Sequence, residues 1–260
     1  AYEDLTIKCN RGISDLMRYS FVAMISDNAN TKVGSIFAGY EHFYEWKSTD
    51  GNDYAETPFE VLEMTIKGLY KHETILNIIE NYVYVPESDD GKSTVIVPKY
   101  YQYYHTEVLY NSVKAAMKPN GDGKGGTYFG ATGSGKSYIM LYLTRRLTLD
   151  TTLDNPTVLL ITDRGDLDDQ LSKTFAKAST FLNDKNVRSF ESREDLRDEL
   201  NGIKSGGVFL TTVQKFNEET SLLTDRNNVI CISDEAHRSQ INLNEVLELS
   251  NDEIVKRVGF

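Results

Sequence analysis

Hydrophobic and polar positions divide the chain into three stretches of different character. From about residue 127 onward, short and nearly unbroken apolar runs recur at 127–129, 157–162, 208–212, 228–233 and 254–260, with stretches of helical character between them. Strands that are apolar along their whole length are buried on both faces. Their alternation with helices predicts a parallel sheet covered on two sides, so the expected fold class is α/β. The first stretch, 1–90, is rich in aromatic residues. Phe21-Val22-Ala23-Met24-Ile25 reads as a buried strand entering a turn at Ser26-Asp27-Asn28-Ala29-Asn30. Helices are predicted at 58–70, with Pro58 suited to a first turn, and at 73–80, where Ile75, Leu76, Ile78 and Ile79 form an apolar stripe. A polar patch at 86–93 marks a boundary. The middle stretch opens with the apolar run 94–98, continues as a tyrosine-dense helix over 100–117, and is broken by the Gly-rich segment 118–126. There is no internal repeat.

Composition narrows the class. With 260 residues and 40% hydrophobic positions, the chain can build a real core as one large or two modest domains. Its 28 basic against 39 acidic residues give a net charge of -11, which argues against gripping nucleic acid by bulk charge. Cys9 and Cys231 are the only cysteines, so a disulfide-stapled scaffold is excluded and no zinc spacing exists. No apolar run approaches the roughly 18 residues needed to span a bilayer, so no membrane partner is expected. Residues 1–10 lack a basic region followed by an apolar core, so no secretion signal is expected and a reducing, cytoplasmic setting fits. The final residues fall inside a predicted core strand, so the chain is expected to be a piece of a longer polypeptide.

The most specific signal is Gly130-Ala131-Thr132-Gly133-Ser134-Gly135-Lys136-Ser137, which matches the phosphate-binding loop pattern in full. It follows a predicted strand and precedes a predicted helix, 138–147. Glycines let such a loop fold tightly, so that its backbone N–H groups converge on phosphates where the next helix points its positive end. Lys136 is expected to reach the β- and γ-phosphates of ATP, and the Ser137 hydroxyl to bind Mg²⁺. The second signal is Asp234-Glu235-Ala236-His237 after the apolar strand Val229-Ile230-Cys231-Ile232-Ser233. Carboxylates at the carboxyl end of a parallel strand face the crevice where ligands bind. Asp234 is placed to hold Mg²⁺, and Glu235 to orient and deprotonate the attacking water.

Together these segments resemble the superfamily-two helicases and translocases, and within them the motor (R) subunit of type I restriction enzymes. The resemblance rests on 130–137, on Asp163-Arg164 through Gln170, on Thr211-Thr212-Val213-Gln214, and on Asp234-Glu235-Ala236-His237-Arg238-Ser239-Gln240. Upstream, Ile25-Ser26-Asp27-Asn28, Lys32-Val33-Gly34-Ser35 and Trp46-Lys47 are similar to the end of that subunit's nuclease domain. The resemblance implies a RecA-like parallel-sheet motor domain, a P-loop NTPase fold, over 94–260. It would be preceded over 1–93 by the C-terminal part of an α/β nuclease domain and a linker. It also implies that Gln102 recognises adenine, for which an amide can both donate and accept; a plain helix glutamine is the other reading. Arg164, Gln170, Thr211, Thr212 and Gln214 would touch the DNA backbone, although the aspartates near Asp166 also suit a helix cap. His237 would couple hydrolysis to a second motor domain.

The same resemblance sets expectations about the whole subunit. It would translocate double-stranded DNA at the expense of ATP and Mg²⁺, as part of a site-specific deoxyribonuclease working with specificity and methyltransferase subunits. The second motor domain and the nuclease centre are not expected in this chain. Glu45-Trp46-Lys47 spells the nuclease Glu-x-Lys pair but reads as a surface turn with one buried Trp. Tyr100, Tyr101, Tyr103 and Tyr104 are expected to pack rather than stack on bases. Two other readings stay open: a helicase or remodeller unrelated to restriction, and a regulatory module that binds ATP without doing work.

Overall fold

The structure, a computed structural model, describes residues 2–9, 12–17, 19–36, 38–87, 94–162, 165–183, 187–190, 192–212, 223–235, 246–250 and 253–257. Contacts divide the chain into two compact units, Ala1–Arg146 and Leu147–Phe260.

In the first unit, β1 (Ala23–Ser26) and β2 (Thr31–Gly34) pair as an antiparallel hairpin, Ala23 opposite Gly34 and Ser26 opposite Thr31. Its turn is the predicted polar cluster. Asp27 Oδ1 accepts from the backbone N–H groups of Ala29 and Asn30 at 3.1 and 2.7 Å, a side-chain-closed turn of the kind aspartate favours. Met17, Ala23, Ile36 and Phe43 form a small core around the hairpin.

Three helices follow. α1 (Pro58–Met64) starts on its proline and continues as a π-helical turn, Thr65–Leu69. α2 (His72–Asn81) and the tyrosine-dense α3 (Tyr100–Ala116) lie close to their predicted ranges. Tyr103 and Tyr104 are buried, and their rings stand 6.2 and 5.8 Å from the fully buried Trp46. These tyrosines pack the interior through edge and tilted aromatic contacts. Trp46 Nε1 donates to the Ser48 carbonyl at 2.8 Å, and the flanking Glu45 and Lys47 pair with each other at 2.7 Å.

α4 (Lys136–Leu149) is joined to α3 by a charged clasp. Arg146 Nε lies 2.9 Å from Glu107 Oε1, its Nη2 donates to Oε2 at 3.2 Å, and the Tyr82 hydroxyl donates to the same carboxylate. The guanidinium also sits 4.3 Å over the Tyr110 ring. α3 and α4 are thereby held in register.

The second unit contains a four-stranded parallel sheet. Its strands are β3 (Thr157–Thr162), β4 (Arg188–Ser189), β5 (Val208–Thr212) and β6 (Val229–Ser233), in the order β4-β5-β3-β6. Leu160 of β3 lies opposite Leu210 and Ile232. Val158, Leu160, Val208 and Leu210 are fully buried, each burial stabilising by about 1.5–3 kcal/mol. α5 (Gly165–Lys177) and α6 (Arg193–Gly202) connect the strands. Ser192 caps α6, its Oγ accepting from Asp195 N at 3.1 Å, and Leu196 and Leu200 pack on Leu159 and Phe209.

The fold is α/β, as the apolar runs predict, but three segments differ. Residues 127–129 carry no strand pairing, and Phe129 is 97% exposed. The apolar run 94–98 contributes a single bridge, Ile96 to Tyr84. Residues 246–250, where a helix was expected, are a strand, β7 (Val246–Ser250). It pairs antiparallel with β8 (Glu253–Arg257), Ser250 opposite Glu253, so β8 lies in a separate two-stranded sheet. No helix among the described residues is long and apolar enough to cross a membrane.

Candidate nucleotide site and sheet edge

In the first unit, residues 130–137 form a compact loop leading into α4. Ser134 N donates to the Ala131 carbonyl at 3.1 Å, and Tyr138 N and Ile139 N both donate to Gly135 O, at 3.0 and 3.3 Å. Gly133 and Gly135 have φ of 80° and 77°, in the left-handed region that side chains seldom adopt. The backbone then enters α4 at Lys136, where the first N–H groups of a helix have no intrahelical acceptor until Gly135 O takes those of Tyr138 and Ile139, and the helix presents its positive end. Lys136 Nζ donates to the Gly130 carbonyl at 3.3 Å, which lays the ammonium over the loop. Ala131 and Thr132 are exposed, and Ser137 is half-buried at the helix start. A tight glycine loop, a helix N-terminus and an ammonium together suit an anion of high charge such as a polyphosphate.

Gln102 belongs to the same site. It is 5% exposed, so it is not a plain surface glutamine. Its Oε1 accepts from Lys99 N at 2.9 Å, closing the start of α3. Its Nε2 faces the loop so closely that a Cβ on Gly135 would come within 2.5 Å of it. Only a glycine at 135 lets the amide and the loop share this space. Two neighbours were not anticipated. The Tyr128 ring lies against Gly130, where a Cβ would stand 2.7 Å from it, and His105 lies 5.3 Å behind that ring. Burial pushes the His105 imidazole below its ordinary pKa. The sequence signal for them is an aromatic residue two positions before the loop, within the predicted strand 127–129.

In the second unit, the carboxyl ends of β3, β5 and β6 share one sheet edge. Asp234 N donates to the Ile161 carbonyl at 2.8 Å, carrying the β6 pairing one residue further. Glu235 then turns sharply with φ 49°, and its N–H donates to Asp234 Oδ1 at 2.9 Å. A left-handed glutamate costs on the order of 1–3 kcal/mol, and such strain collects at functional strand ends. Thr211 and Thr212 end β5 opposite Ile161 and Thr162, and both are buried. Gln170 lies in α5, but its side chain is outside the described residues, as are Arg164, Gln214 and His237. The structure thus gathers 130–137 with Gln102 in one unit, and Asp234 and Glu235 with Thr211 and Thr212 in the other.

The SWI2/SNF2 ATPase family model matches residues 101–255, a span that contains both sites. The endonuclease subunit of the type I restriction enzyme HindI from Haemophilus influenzae is 37% identical over 242 residues, covering 90% of this chain and 23% of that protein. The putative type I restriction enzyme MjaIXP endonuclease subunit from Methanocaldococcus jannaschii is 29% identical over 255 residues, covering 88% of this chain and 23% of that protein. The chain therefore spans about a quarter of the length of these curated relatives. Matched by the family over more than half of its residues, the chain belongs to the SWI2/SNF2 ATPases, a superfamily-two helicase type, and is a relative of type I restriction endonuclease subunits.

Proposed function

We propose that the chain is the ATPase portion of the DNA-translocating subunit of a type I restriction system, divided into a nuclease-domain tail over 1–93 and a first motor domain over 94–260. The observation that carries this reading is the cradle itself: left-handed Gly133 and Gly135 at the N-terminus of α4, with the buried amide of Gln102 packed against it. A polyphosphate alone would not call for that amide, whereas a nucleoside triphosphate does.

The residues fit the chemistry. The N–H groups of 130–137 and the ammonium of Lys136 would take the β- and γ-phosphates of ATP, and Gln102 would donate to and accept from the adenine edge. Ser137 and Asp234 offer the hard oxygen donors that magnesium prefers, and bound magnesium would neutralise charge on the phosphate oxygens. Glu235 would orient the attacking water and take its proton. Arg164, Gln170 and Gln214 would touch the DNA backbone; Thr211 and Thr212, expected to do the same, are buried at the end of β5 and would have to be uncovered to reach it. His237 would pass the state of the site to a second motor domain. A specificity subunit would read the sequence, alongside a methyltransferase subunit, in the cytoplasm, consistent with a chain of net charge -11 that delegates recognition.

Displacement of a third DNA strand by the assembled complex tests this reading. With ATP, the delay before displacement should grow with the distance from the recognition site. ATP consumption with no distance-dependent displacement would favour a motor unrelated to restriction, and no DNA-stimulated consumption at all would favour a regulatory module.

A further inference from the structure

Within the first unit, a cavity of about 400 Å³ opens against Gly133, Ser134 and Gly135. That volume falls among small-molecule sites, roughly 300–1,000 Å³. One wall carries Gln102, Tyr138 and the segment 94–97. The lining also includes residues of a region with no nucleotide motif: Ser35, Ala38, Phe43 and Tyr44. These residues are built into the hairpin rather than hanging as a loose loop. Tyr44 exchanges backbone hydrogen bonds with Val33 at 2.8 and 2.9 Å, and Phe43 is buried in the core around β1 and β2. The Tyr2 hydroxyl donates to Ala38 O at 3.0 Å. The Tyr44 hydroxyl donates to Pro98 O at 2.6 Å, tying these residues to the segment that leads into α3. Exposed Glu41 and His42 also line the cavity.

A chamber beside a phosphate cradle receives the rest of the same molecule. Apolar and aromatic lining with one side-chain amide suits a flat heterocycle with a few hydrogen-bonding edges, and the Glu41 carboxylate suits sugar hydroxyls. We infer that Ser35, Ala38, Phe43 and Tyr44 form one wall of the nucleoside chamber, so that the base and ribose of the nucleotide are held between the N-terminal region and the ATPase segment. This rests on the proposed ATP site. It adds that the N-terminal region is itself a nucleotide-binding element.

The test uses the full-length subunit. Photolabelling of the wild-type protein with 8-azido-ATP should place label in peptides covering 35–44 as well as 94–102. Separately, Ala38→Phe puts a ring into the chamber; it should weaken ATP binding at least tenfold and leave binding of inorganic tripolyphosphate within about twofold. Lys136→Ala should weaken both ligands. Label on 94–102 without any on 35–44 overturns the inference and leaves the ATP site standing. Label on neither segment, with Lys136→Ala binding both ligands normally, removes the ATP site itself. Equal loss of both ligands in Ala38→Phe signals a folding defect, and the wild-type labelling then decides.

Discussion

Replacing Gly135 by alanine separates two consequences of the loop geometry. At φ 77°, an alanine is strained by about 1–2 kcal/mol. Its Cβ would also stand 2.5 Å from Gln102 Nε2, well inside van der Waals contact, so the amide must move. Moving it breaks the 2.9 Å bond from Lys99 N to Gln102 Oε1, worth about 1 kcal/mol. The loop can recover its ligand-ready shape only at the sum, about 2–3 kcal/mol, which is about 30- to 140-fold in ATP affinity. Gly133→Ala is the internal control. Its φ is 80°, but nothing lies within 4 Å of the added Cβ, so only the strain remains, about 5- to 30-fold. Calorimetric titration of both variants with ATP should show the larger loss at 135. Equal losses, or a larger loss at 133, would refute the packing of Gln102 against the loop.

Other perturbations address the scaffold. Glu107→Gln removes the carboxylate shared by Arg146 and Tyr82. With the side chains of Arg146 and Glu107 19% and 22% exposed, the cost discounts from that of a fully buried pair to about 2–3 kcal/mol, read as a lower urea midpoint. Tyr82→Phe should cost about 1 kcal/mol in the same assay, and an unchanged midpoint for both would remove the clasp from the account. His105, held below its ordinary pKa by burial, binds its proton less readily folded than unfolded. Stability should therefore be full above the ordinary imidazole pKa and decline as pH falls through the window beneath it. His105→Gln should flatten that decline, and an identical pH profile would contradict the burial.

The parallel sheet was legible because β3 and β5 are apolar on both faces, so no competing periodicity exists in 157–162 or 208–212. The loop was legible from its spelling, since few other sequences satisfy its backbone. The segment 127–129 was misread because three apolar residues define no period, and its exposure is set by tertiary context. The pairing of β7 with β8 was not legible, because 246–250 lies between predicted strands in a stretch of helical character. The burial of Gln102 was not legible at all, because it depends on α3 meeting the loop across 33 residues of chain.

Single-turnover hydrolysis measures the central claim most directly. The full-length subunit would be mixed with limiting radiolabelled ATP, Mg²⁺ and saturating DNA. The wild type should bind and hydrolyse the label, Lys136→Ala should fail to retain it, and Glu235→Gln should retain it while hydrolysing about 10²–10⁴-fold more slowly. Hydrolysis by Glu235→Gln at the wild-type rate, or undiminished retention by Lys136→Ala, would contradict the account.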